Sequence, residues 1–152
     1  MSNQYGFMQS GFNGNSDELV LNNYVKDATA LLVIFMENAI RNASIYIKHC
    51  KRNCITTEDI KRALMLEVFL YKNRNNDKEK INEVKNEIFY SSDDDDLDGD
   101  YSNMVLENHD EFGISQCECG MCKCINNIYD RWERFNPNNQ LEIIFKKHID
   151  KM

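Results

Sequence analysis

Residues 35–60 read FMENAIRNASIYIKHCKRNCITTEDI, and the order of elements they encode decides the fold. Leu32, Phe35, Ala39, Ala43, Tyr46 and Ile47 recur at steps of three and four, the period of one helical face. Glu37, Arg41, Asn42 and Lys48 fall mostly elsewhere, but so do Val33, Ile34, Met36 and Ile40. Apolar residues over so much of the circumference imply a helix covered on more than one side, and therefore a partner subunit. Lys51 and Arg52 close the helix where cations suit its dipole. Cys54 to Thr56 is a short extended piece. Thr56 and Asp59 then stand in capping-box spacing, with Asp in place of the usual Glu, and open a second helix whose buried stripe is Ile60, Ala63, Leu64 and Val68.

Outward from this block the chain divides into segments. Residues 1–15 carry Gly6, Gly11 and Gly14 with Tyr5, Phe7 and Phe12 but no period, which predicts a flexible arm. Residues 16–72 hold the helical block. Ile81, Val84 and Ile88 predict one more amphipathic helix over 73–90, packed on the outside. Residues 91–103 form an acidic linker, and 104–152 a Cys-rich module with two short helices, Ile125 to Phe135 and Gln140 to Lys151, broken at Asn136-Pro137. Tyr129, Trp132, Phe135, Ile143, Ile144, Phe145 and Ile149 supply that module with a small core of its own.

Composition narrows the function. The chain has 152 residues, 42% of them hydrophobic, enough for one modest core and an appendage. A net charge of −7 and a pI near 5.0 disfavour a protein that coats duplex DNA, a mode that depends on many Lys and Arg releasing counterions. No apolar run is expected to approach the roughly 18 to 20 residues of a membrane span, and the opening residues lack a signal-peptide core. A soluble protein in a reducing intracellular compartment is the expectation, with four of six Cys crowded between Cys117 and Cys124.

The block from about Ala28 to Leu66 resembles the histone-fold family, and within it core histone four. Phe35-x-Glu37-Asn38-x-Ile40-Arg41-x-Ala43, Tyr46, His49, Lys51-Arg52, Thr56, Asp59 and Ala63-Leu64 carry the resemblance, in order and without gaps. It implies an all-α histone fold with a long central helix, a basic loop and a capped third helix. The C-terminal Cys-rich helices are then an appendage. It implies a dimer with another histone-fold chain, in which long helices cross through Leu32, Phe35, Ala39, Ala43 and Tyr46. It further implies a structural clamp between Arg52 and Asp59. The family's basic first helix would lie in or before residues 10–21, where Asp17 and Glu18 stand and no Lys or Arg does. The position of its groove-reading arginine, in the first loop, falls near Leu19 or Val20. Lys48, Lys51 and Arg52 remain as DNA-contact candidates, with helix capping as the plainer role.

Cys117-x-Cys119-x-x-Cys122-x-Cys124 is the second motif. Thiolates bind Zn²⁺ tetrahedrally, and Cys119-x-x-Cys122 has knuckle spacing. Cys117, Cys119, Cys122 and Cys124 are the candidate ligands, with His109 or His148 as substitutes. A reduced, metal-free turn or a reversible disulfide is the competing reading. Asp94-x-Asp96-x-Asp98-Gly99 matches the first half of a calcium loop, but Val105 stands where a bidentate Glu belongs. No phosphate loop or nucleophile elbow is present, so no enzyme is expected. A non-catalytic dimerisation subunit of a chromatin-like, transcriptional or virion-associated complex is the leading expectation, in nucleus or virion. Behind it stand a DNA-packaging viral histone variant whose basic partner supplies most phosphate contacts, and a thiol redox or metal-handling protein built on Cys122 beside Lys123.

Overall fold

The computed structural model describes residues 14–74, 78–91 and 111–152. Residues 1–13 of the arm expected over 1–15, with its aromatics, lie outside the described residues, whereas Gly14 and Asn15 begin the first helix; 92–110, which hold most of the acidic linker, the calcium-like motif and His109, also lie outside them. The described residues are all-helical, in the order α1 (Gly14–His49), α2 (Thr57–Tyr71), α3 (Lys78–Tyr90), α4 (Gly120–Asn126), α5 (Ile128–Glu133) and α6 (Gln140–Asp150).

α1 is one unbroken helix of 36 residues. The loop expected near Leu19 or Val20 is absent, because Leu19 to Val25 offer no Gly or Pro to end a helix, and the chain passes through them helically. The Asp17–His49 stretch is also long and apolar enough to cross a membrane by length and composition alone, contrary to the expectation that no run approaches that length. Mostly buried core helices and N-terminal signal sequences pass the same test, and 17% of the apolar window of α1 is buried.

The C-terminal half of α1 is the centre of the core. Phe35, Ala39, Ala43 and Tyr46 are buried together with Ala63, Leu64, Met65, Leu66 and Val68 of α2 and with Ile125, Ile128, Trp132, Phe145 and Ile149 from the last three helices. The residues expected at a dimer interface are therefore covered from within the chain. Phe35 lies flat on Phe145 with ring centroids 4.2 Å apart. Leu32 alone of the expected set is exposed. The C-terminal helices likewise do not form a separate core, since Phe69 of α2 meets Trp132 and Phe135 edge-on. Ile143 and Ile144, expected inside, face outward. α3 packs where predicted on the outside, with Val84 and Ile81 against Ala30 and Ile34, and Lys85 reaches Asp27 at 2.6 Å.

Local sequence explains the joint between α1 and α2. Arg52 N–H donates to the Ile47 carbonyl and Lys51 N–H to the Lys48 carbonyl, the paired bonds of a Schellman helix end. Lys51 takes the left-handed conformation, φ 57°, that this end requires. The turn aims the Arg52 guanidinium at Asp59, whose carboxylate receives both of its terminal nitrogens at 2.7 and 2.5 Å. Thr56 caps α2 by accepting from Asp59 N–H, and its own N–H donates to Asp59, so the capping box is complete.

Candidate metal centre

The end of α1 meets the chain that leads into α4. His49 sits in the last turn of α1, and residues 111–119 run without helix or strand before α4 begins. Cys119 is the N-cap of α4, where its sulfur accepts from Cys122 N–H at 3.4 Å. Cys122 follows three residues on, on the same helical face as its cap. His49 Nδ1 lies 3.1 Å from Cys122 Sγ and 3.5 Å from Cys119 Sγ. With Cys117, these four side chains bring one donor atom each to within 4.8 Å of one another, and the group could hold a metal ion.

Cys124 is not in this group. Two residues beyond Cys122 on a helix, its side chain leaves on the far side, and its sulfur is 3.5 Å from an Arg131 nitrogen. His148 lies exposed on α6, away from the cluster. Sequence spacing thus names three members of the group and misses the fourth. His49, counted with the basic loop, approaches cysteines 73 residues away, a meeting that no local pattern announces.

The donor types suit a tetrahedral ion. With Zn–S near 2.3 Å and Zn–N near 2.0–2.1 Å, ligand atoms should stand about 3.5 Å (N to S) and about 3.8 Å (S to S) apart. The two His49 contacts are already at this scale. The two paired thiols are driven in opposite directions. The hydrogen bond from Cys122 N–H, helped by neighbouring thiols and His49, lowers the Cys119 thiol to about 6, so it is largely thiolate at neutral pH. Burial raises Cys122 to about 11. Cys122 is therefore not the activated thiol that its neighbour Lys123 suggested. It becomes a ligand only when a cation replaces its proton.

Around the centre, a polar circuit ties the segment to α1. The buried Tyr46 hydroxyl donates to Asn126 Oδ1 at 2.7 Å and accepts from Ser115 N–H at 3.2 Å. Asn126 Nδ2 donates to the Ser115 carbonyl, and Ser115 Oγ accepts from Cys117 N–H. Arg62, unmarked in the sequence analysis, donates to the Ile125 and Asn126 carbonyls at the end of α4, between the rings of Phe112 and Tyr129. Of the expected DNA-contact residues, Lys48 and Lys51 are exposed, whereas Arg52 is committed to Asp59 and lies 5.6 Å from the Phe112 ring centroid.

No family model, curated protein or solved structure matches the chain.

Proposed function

We propose that the protein is a non-catalytic pairing subunit, a histone-like helical core braced by a zinc centre, that joins a second helical chain through the exposed side of α1. The observation that carries this reading is the ridge of Leu32, Met36 and Ile40. These residues stand four apart, 39–49% exposed, with Val33 beside them. Ridges at that spacing interdigitate with those of a crossing helix. Leu21, Tyr24 and Val25 extend the exposed apolar surface toward the N-terminus.

A lipid partner fits less well. α3 lies along α1, and inserting α1 into a bilayer would carry Lys80, Glu83, Lys85 and Glu87 in with it. The net charge of −7 favours a basic chain over a second copy, because like charges repel on association. Three thiolates and an imidazole are a borderline-soft donor set, which supports zinc over hard cations such as calcium or magnesium.

Sedimentation of the full chain with a recombinant basic core-histone chain tests the pairing. A one-to-one complex is expected, and Leu32→Asp combined with Ile40→Asp abolishes it while leaving the helical spectrum unchanged. If the histone chain sediments separately, or if the unmodified protein instead floats with anionic vesicles, the pairing reading is overturned.

A further inference from the structure

We infer that a cation held by His49, Cys117, Cys119 and Cys122 locks residues 113–126 across the end of α1, and that the buried Tyr46 circuit is what this lock keeps in register. The inference rests on the zinc reading above and gives the site its task.

The ligands come from two distant parts of the chain, so the ion closes a long loop in the way a cross-link does. Tyr46 and His49 are one turn apart on α1. From Tyr46 the contacts run to Ser115, from Ser115 to Cys117, and from Cys117 through the donor cluster back to His49. Metal and hydrogen bonds therefore form one ring through α1 and the arriving segment. The stretch 111–119 has no secondary structure to hold it. Its further polar tie to the end of α1 is the Cys50 thiol, which donates to the Gly113 carbonyl at 3.5 Å. Local structure with few ties of its own opens first when one is removed. α4 also reaches the apolar core, through Cys122 and Ile125, but α5 and α6 enter it through Ile128, Trp132, Phe145 and Ile149 and carry no member of the donor group. Loss of the ion should therefore free 113–126 and the Tyr46 end of α1, yet leave α6 in place.

Hydrogen exchange of the full-length, reduced protein, loaded with zinc and then stripped by a chelator, tests this, with metal content measured alongside. One zinc per chain is expected. Stripping should speed exchange over 113–126 at least tenfold and leave 140–150 unchanged. Cys124→Ser should keep the zinc, and His49→Ala should weaken binding at least a hundredfold. His49→Cys should restore it, which separates ligand loss from misfolding. Tyr46→Phe should keep full zinc content while exchange at 115–119 rises. If zinc binds but stripping leaves 113–126 as protected as before, the lock is wrong and the zinc reading stands. If α6 loosens equally, the ion supports the whole fold and the lock is again wrong. If the wild-type protein binds no metal, both fall.

Discussion

Asp59 is a buried charge kept charged by its neighbours. Burial by itself would raise its carboxyl, but the Arg52 guanidinium and the Thr56 hydroxyl and N–H outweigh that and hold it below the ordinary carboxylate range. A depressed folded-state value means that the contribution to stability is present above the unfolded value and is lost as pH falls through the folded one. Asp59→Asn should cost about 3 to 5 kcal/mol at neutral pH, since it leaves Arg52 facing a neutral partner with little water to replace it. Urea denaturation at pH 7 and near pH 3 checks this: the gap between wild type and variant should narrow in acid. At this scale the sequence was legible where contacts are local. The Thr56–Asp59 box could be read because its partners are three residues apart, whereas His49 could not be assigned to the cysteines, because proximity in space left no mark on spacing.

Among the elements, α1 departs most from expectation. Its periodic face is buried except at Leu32, but the cover comes from within the chain and not from a partner subunit. The cover comes mainly from α2, and over Phe35 from Phe145 of α6, which lies far along the chain beyond the residues that carry the histone-like pattern. Amphipathicity states that a face must be buried and not what buries it. Phe145→Ala should destabilise the fold by about 3 to 5 kcal/mol by opening a cavity over Phe35. In a double-mutant cycle with Phe35→Ala, the two should couple by about 0.5 to 1.5 kcal/mol, the scale of a direct ring pair. Thermal or denaturant unfolding of the four proteins measures both, and strict additivity would show that the rings do not meet. The break between α4 and α5 at Asn127 was also missed, since the apolar pattern continues across it and only Asn136-Pro137 carries a breaker.

For the whole molecule, charge decides what the basic loop can do. With Arg52 held by Asp59, Lys48 and Lys51 are the exposed cations of that loop, set in a chain of net charge −7. Binding to duplex DNA by two phosphate contacts should be weak, with log affinity falling against log salt at a slope of about −2. Filter binding across a salt series measures it, and a much steeper slope would favour a packaging role. The all-helical class was legible from periodicity. That α1 and α2 share one core with the Cys-rich end was not, because the residues joining them are ordinary apolar side chains with no motif.

The unbroken α1 has a mechanical consequence. A helix of 36 residues is about 54 Å long, and without a joint at Leu19–Val20 it behaves as a single strut. The candidate metal centre stands at one end, and the Leu32–Ile40 ridge lies about 13 to 26 Å away along the axis. A chain bound at the ridge would be held at a fixed distance and bearing from the cysteines, as two fittings on one beam are.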